Sequence, residues 1–185
     1  MSKLIETSYT EYKELVQYLL DEQQISLSSL ADNNLKKNLI LCSASYFENK
    51  ITNDLIKYFH ENNKDTICIK EFLINKGLNR QYHTLFDWEG KNANKFFSLF
   101  GQEFKNYMVK TIKDDKELEL SVKSFLELGN ERNRLVHQNF VQYSIEKTLD
   151  EIYKLFQEAL PFVTNITKFL DDFHEEYKNT AEDDA

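Results

Sequence analysis

The residue types that can break a phosphodiester bond are concentrated in one short stretch of the chain, Arg132 to His137, which reads RNRLVH. Only three of the 23 basic residues are arginines, and two of these arginines precede one of the four histidines within this stretch. A guanidinium holds two phosphate oxygens at any pH, and an imidazole transfers protons near neutral pH. The stretch therefore predicts chemistry on a phosphodiester.

Cleavage of RNA without a metal ion gives each of these residue types a task. A base must take the proton of the 2′-hydroxyl, an acid must protonate the leaving 5′-oxygen, and positive charge must meet the phosphate. His137 suits either proton transfer, and the guanidinium of Arg132 or Arg134 suits the charge. Asn133 adds an amide that can orient a phosphate or a ribose hydroxyl. We therefore expect a site that uses neither a metal nor a cofactor.

Helical geometry constrains how these side chains can meet. On a regular helix, residues five positions apart are rotated by about 140°, so Arg132 and His137 would not share a face, whereas Asn133 and His137 would. One solution is a helix break at Gly129, with Asn130 as the cap of a new helix and Arg132 in its first turn. The other is a two-fold dimer in which each phosphate meets both motifs, which also supplies a second histidine. The sequence leaves both solutions open.

The stretch resembles the Arg-x(4–6)-His signature of the HEPN superfamily, with four residues between Arg132 and His137 and with Asn133 directly after the arginine. The resemblance implies an all-α, metal-independent endoribonuclease that dimerises to build a composite active site. It also implies a role in toxin–antitoxin pairs or anti-phage defence. On this basis Arg132 and His137 are the expected catalytic pair, and Asn133 is the supporting polar residue. Arg134 falls at a variable position of the signature, so its supporting role rests on this sequence alone.

Other polar residues receive weaker assignments. Several branches of the superfamily have an acidic residue on an earlier helix, for which Glu48 is a loose match, but we favour the interpretation of Glu48 as a surface charge. His60, His83 and His174 stand apart from any motif, and we interpret each of them as a structural or surface residue.

A purely structural interpretation of the motif itself also remains open. Arg132 and Arg134 could be solvated helix charges that pair with Glu127, Glu131 or the acidic end of the chain. His137 follows two apolar residues and could be a hydrogen-bonded histidine at the edge of the core.

The elements that position the motif are predicted to be helices. Four glycines and one proline among 185 residues are too few for a turn-rich β fold. Apolar residues recur at helical spacing over residues 30–61 and 94–110, and again in a helix that meets Gly129 just before the motif. A last helical segment, 144–178, contains Pro161, which we expect to kink or restart it. The prediction is an all-α, HEPN-like, single-domain bundle of about five to seven helices.

Charge and length predict one domain with an acidic end. Seven acidic residues and one lysine lie between Asp171 and Ala185, so most of the net charge of −8 falls there. This balance argues against a protein that coats nucleic acid through many phosphate contacts, but it permits a local site. We predict a helical domain over residues 1–178 and an acidic, disordered tail over residues 179–185.

The sequence also predicts a compartment. No apolar run is long enough to cross a bilayer, and the amino terminus lacks the charged-then-apolar pattern of a secretion signal. Cys42 and Cys68 lack motif spacing, and we interpret them as buried, reduced thiols of a cytoplasmic protein.

The function predicted from these features is a metal-independent endoribonuclease that acts as a toxin or an anti-phage effector. Its expected partners are an RNA substrate, a second copy of the chain and an antitoxin or other regulatory protein, with no membrane. The alternative is a non-catalytic HEPN-like interaction module that binds an antitoxin or a nuclease partner.

Overall fold

The protein is a bundle of helices. The computed structural model describes residues 2–62, 71, 73–78, 81–138, 140 and 142–183, with side chains described as far as residue 177. Within these ranges the chain has no strand, and its α-helices are α1 (Ser2–Asp21), α2 (Ile25–Asn62), α3 (Tyr82–Leu85), α4 (Asn94–Ser98), α5 (Gln102–Asp114), α6 (Lys116–His137), α7 (Leu149–Thr164) and α8 (Ile166–Asp183). A π-helical turn, Ile74–Leu78, precedes α3. The predicted all-α architecture is confirmed, and the six helices of 13 residues or more fall within the predicted number.

Helices α2, α6 and α7 pack around an aromatic core. The Phe47 ring of α2 stacks on Phe156 of α7 at 5.3 Å between centroids and lies 5.8 Å from Phe125 of α6. Phe125 meets Phe162 of α7 edge-on at 5.2 Å. Burying large rings stabilises a small domain strongly, so much of the high aromatic content is used inside the bundle.

Helix α1 packs against α2 and is tied to the start of α7. The Tyr9 ring stacks on Tyr153 at 4.0 Å, and its hydroxyl donates a hydrogen bond to Asp150 Oδ1 at 2.6 Å. Lys13 pairs with the same carboxylate at 2.9 Å. These contacts join the first helix of the chain to the start of α7.

The stretch 94–110, predicted as one helix, is two helices in the structure. Gly101 separates α4 from α5 and has a φ of 107°, a left-handed backbone conformation that side chains other than glycine rarely adopt. The apolar stripe is buried as expected, with Phe96, Phe97, Phe104 and Met108 all at most 2 % exposed.

Helix α6 carries the motif and runs through Gly129 without a break. Its first turn is capped by Asp115, whose side chain accepts hydrogen bonds from the amides of Glu117 and Leu118. Arg132 to His137 therefore form the last turn and a half of a 22-residue helix. The helix break proposed at Gly129, with Asn130 as a cap, is wrong.

Pro161 lies inside α7 and does not end it, so the helical segment restarts beyond the proline and not at it. Helix α7 ends at Thr164, and Asn165 caps it before α8 begins at Ile166. The amide of Phe162, next to the proline, donates a buried hydrogen bond of 2.9 Å to Ser121 Oγ of α6. This bond fixes α7 against the helix that carries the motif.

Two further expectations concern the chain ends and the cysteines. The described backbone of α8 stays helical to Asp183, past the predicted boundary at residue 178, and the division into a domain and a tail stays a prediction. Cys42 is exposed on α2, where its thiol donates to Asn38 Oδ1 at 3.3 Å, so its predicted burial is wrong. Cys68 lies outside the described residues. None of the helices in the described ranges combines the length and the apolar character that a bilayer crossing requires.

Candidate active site

The end of α6 forms one wall of a cavity of about 310 Å³. The second wall comes from α2 and the third from α3 with the segment that follows it. Together these elements contribute aromatic, apolar and polar side chains: Ala44, Phe47, Glu48, Tyr82, His83, Trp88, Phe125, Leu128, Gly129, Arg132, Asn133, Val136 and His137. Three of the four residues predicted for the site, Arg132, Asn133 and His137, therefore line one cavity of a single chain.

Arg132 and His137 reach the same cavity although they lie on different faces of α6. Asn133 lies between them, and Arg132 turns toward it, with Nη1 donating to Asn133 Oδ1 at 3.2 Å. Arg132 and Asn133 are half-buried, whereas His137 is exposed at the mouth. Arg132 and His137 do not share a face of α6, as expected, and both line the cavity because it spans more of the helix surface than a single face.

The guanidinium of Arg132 is available for a ligand. No ion pair joins Arg132 to a carboxylate within the described ranges, and its hydrogen bond to Asn133 uses only one of its five donors. The last turn of a helix leaves carbonyl oxygens, not amides, without helical partners. An anion bound here would therefore be held by side chains, and Arg132 is the residue that supplies a fixed positive charge.

Gly129 explains why α6 approaches the neighbouring wall so closely. A Cβ placed on Gly129 would lie 2.2 Å from both Cε3 and Cζ3 of Trp88, far inside van der Waals contact. The indole packs on the helix backbone at this position. Glycine is thus required at residue 129 for close packing inside a continuous helix.

Trp88 in turn fixes the wall that α3 forms. Its indole Nε1 donates to the backbone carbonyl of His83 at 3.0 Å. Its ring lies 5.1 Å from Phe86 and 5.6 Å from Phe125, centroid to centroid. The short helix α3 is therefore held at a defined distance from α6 by an aromatic cluster.

Glu48 and Tyr82 are two further polar residues that line the cavity together with Arg132. Burial raises the pKa of the Tyr82 phenol well above its usual range, the Glu48 carboxylate raises it further, and the Arg132 guanidinium lowers it. Tyr82 is therefore a hydrogen-bond donor at neutral pH. Glu48 had only a loose sequence match, and the structure places it in the cavity with Arg132.

Arg134 lies outside the cavity. Its Nη1 pairs with Glu131 Oε1 at 3.2 Å, and its guanidinium lies 5.2 Å from the centroid of the Tyr143 ring. The Tyr143 hydroxyl donates to the other oxygen of Glu131 at 3.1 Å. This geometry favours the structural alternative for Arg134, which ties α6 to the segment that follows it.

The segment after His137 is anchored by a buried lysine. Lys37 of α2 is 1 % exposed, and its Nζ donates to the backbone carbonyl of Phe140 at 2.7 Å. The ammonium also lies 4.9 Å from the centroid of the Phe140 ring. This contact holds the chain three residues beyond His137 and limits how far the end of α6 can move.

His83 was missed as a site residue. The sequence suggested a structural or surface role, yet the residue lines the same cavity as Arg132 and His137. It lies on a four-residue helix in a region without helical periodicity, so no local pattern connects it to the motif. His60 and His174 are exposed outside the cavity. Among the described residues no cluster of three or more His, Cys, Asp or Glu could hold a metal ion.

A comparison with protein families relates the chain to a known family. A family model described as RiboL-PSP-HEPN matches residues 6–172. The matched range contains every residue that lines the cavity. No curated protein and no solved structure matches the chain.

Proposed function

Because the chain belongs to the RiboL-PSP-HEPN family, and so to the HEPN superfamily, we propose that it is an endoribonuclease that cleaves RNA without a metal ion. The observation that carries this proposal is the meeting of Arg132, Asn133 and His137 in one cavity at the end of α6. A guanidinium, an amide and an imidazole are the groups that phosphodiester transesterification uses.

Each residue has a defined task in the proposed reaction. The RNA 2′-oxygen loses its proton and bonds to phosphorus while the bond from phosphorus to the 5′-oxygen breaks. His137 takes or gives one of the two protons, and the fork of Arg132 holds the non-bridging oxygens as their negative charge grows. Asn133 positions the phosphate or the ribose. The products are a 2′,3′-cyclic phosphate and a 5′-hydroxyl, and no water is consumed.

The surroundings of the charged groups support a nucleotide substrate over a free phosphate. Trp88 and Tyr82 line the cavity beside Arg132 and are both half-buried. Aromatic side chains next to a cation are the pattern that binds single-stranded nucleic acid, because bases stack on rings while cations hold the backbone.

In the cell, we propose a toxin or anti-phage effector that acts on RNA in the cytoplasm and is inhibited by an antitoxin or another regulatory protein.

We also propose that the protein forms a homodimer. Large apolar side chains at the exposed end of the α1–α2 pair support it, because Tyr18, Ile25, Leu27 and Leu30 are each 52–63 % exposed.

The chemistry of the product ends tests the proposed function. Purified protein is incubated with total RNA in EDTA, and the new ends are analysed by ligation with and without phosphatase and kinase treatment. We expect 2′,3′-cyclic phosphates and 5′-hydroxyls. New ends that carry a 5′-phosphate would contradict the mechanism. A protein that leaves RNA intact, with partner binding unaffected by Arg132→Ala and His137→Ala, would favour the interaction module instead.

A further inference from the structure

The cavity contains a second imidazole, that of His83, for which the proposed reaction gives no task. Transesterification moves two protons, one off the 2′-oxygen and one onto the 5′-oxygen. Helix α6 supplies one histidine to the cavity, His137. From the sequence, a second copy of the chain was a possible source of the second histidine. The structure instead supplies a second histidine from the same chain.

His83 is held in place by contacts that do not involve its ring. Its backbone carbonyl accepts the hydrogen bond of 3.0 Å from Trp88 Nε1, and Trp88 packs directly on the backbone of Gly129 in α6. The imidazole itself is exposed and lies on the wall that α3 contributes. A ring presented to solvent from a fixed backbone, across from the motif, is suited to a substrate that enters between the walls.

The other polar groups of the cavity are less suited to the second proton transfer. Tyr82 keeps its proton, because burial holds the pKa of its phenol well above the usual range. An ionised carboxylate has no proton to donate to a leaving oxygen, so Glu48 could serve only as the base. Arg132 does not deprotonate in a protein. An imidazole can perform either transfer at neutral pH.

We propose that His83 is a catalytic residue and the proton-transfer partner of His137. This inference rests on the proposed function. One of the two imidazoles takes the proton of the 2′-hydroxyl as the bond from the 2′-oxygen to phosphorus forms. The other gives its proton to the 5′-oxygen as the bond from phosphorus to that oxygen breaks. After the reaction one ring has gained a proton and the other has lost one, so the charge of the pair is unchanged.

A leaving group that needs no acid separates the two roles. We would measure single-turnover cleavage of an RNA oligonucleotide at one defined linkage, with oxygen or sulfur at the bridging 5′ position. A thiolate leaves with little protonation, since thiols ionise near pH 8.5 whereas alcohols do not. The enzymes are wild type, His83→Gln, His137→Gln and the matched control His174→Gln, whose exposed histidine lies on α8 outside the cavity.

With the oxygen linkage we expect both His83→Gln and His137→Gln to be about 100- to 10,000-fold slower than wild type, and His174→Gln to match wild type. With the sulfur linkage only the variant that lacks the acid recovers to within about tenfold of wild type, and the variant that lacks the base stays slow. If His83→Gln recovers, His83 is the acid. If His137→Gln recovers, His137 is the acid and His83 is the base.

Other outcomes overturn the inference. Wild-type cleavage of the oxygen linkage by His83→Gln, together with a slow His137→Gln, rejects a role for His83 and leaves the proposed function standing. A His83→Gln variant that is slow while neither variant recovers with sulfur shows that His83 only supports the structure. A wild-type protein that cleaves neither linkage removes the proposed function and this inference together.

Discussion

At the scale of single residues, two arginines two positions apart have different surroundings. Residues at this spacing are rotated by about 200° around a helix, so they point to nearly opposite sides. Arg132 points into the cavity and contacts Asn133, whereas Arg134 lies against Glu131 and Tyr143. One guanidinium is free for a substrate, and the other is already used to hold the structure.

This difference predicts opposite results for the same substitution at the two positions. Arg132→Lys keeps the charge but loses the fork that holds two phosphate oxygens, so we expect kcat to fall about 100- to 1,000-fold. Arg134→Lys is the matched control and should change kcat by less than about threefold, because surface pairs contribute little. Steady-state kinetics on one RNA measures both. Equal losses in the two variants would contradict the assignment.

At the scale of the elements, the contact between α6 and Trp88 determines the shape of the cavity. An exposed glycine inside a helix is normally improved by alanine by about 1 kcal/mol. At Gly129 the added Cβ would collide with the Trp88 ring, which Phe86 and Phe125 prevent from moving away. We therefore expect alanine at this position to destabilise the protein instead of stabilising it.

We predict that Gly129→Ala lowers the free energy of unfolding by about 1–3 kcal/mol. Urea unfolding followed by the fluorescence of Trp88, which is the single tryptophan, measures the change. The displaced ring should also lower the rate of RNA cleavage, because it holds α3 through the carbonyl of His83. A variant as stable as wild type or more stable would show that α6 and the indole are not in this contact.

The hydrogen bond between Ser121 and the amide of Phe162 gives a second prediction at this scale. Both residues are at most 1 % exposed, so removing the hydroxyl takes a buried hydrogen bond away from this amide. Ser121→Ala should cost about 0.5–1.5 kcal/mol in the free energy of unfolding. Ser45→Ala, at an exposed position of α2, is the control for helix propensity and should be neutral or slightly stabilising. A Ser121→Ala variant as stable as this control would contradict the contact.

The sequence predicted the helices and the motif better than it predicted their junctions. Helical spacing and the scarcity of glycine identified the all-α bundle, since both are local properties of the chain. Gly101 and Gly129 look alike in the sequence, yet one lies between two helices and the other lies inside one. The difference lies in a tertiary contact with Trp88, which no local pattern contains. His83 was missed for the same reason, because only the folded chain brings it to the motif.

At the scale of the whole molecule, the motif alone did not decide whether the site is made by one chain or by two. Arg132, Asn133, His137 and His83 line a cavity of a single chain. We therefore propose that the chemistry does not require the homodimer. It would instead cover the apolar residues at the end of the α1–α2 pair, such as Ile25 and Leu30.

If one chain makes the site, a variant that no longer dimerises should still cleave RNA. The wild-type protein should have twice the chain mass of 22.0 kDa in light scattering. The double variant Ile25→Lys, Leu30→Lys should have the mass of one chain and keep its cleavage rate within about tenfold, since the substitutions are on a different surface from the cavity. A monomeric variant that loses cleavage would support the alternative, a composite site that two motifs form about a two-fold axis.

The rate of RNA cleavage in EDTA by wild type and by His137→Ala tests the central claim most directly. Both proteins are compared in single-turnover reactions on one short RNA, after circular dichroism and thermal unfolding have shown that their folds match. We expect cleavage by wild type that EDTA leaves unchanged, and a rate at least about 100-fold lower for His137→Ala. Equal rates for the two proteins, or wild-type cleavage that EDTA abolishes, would contradict it.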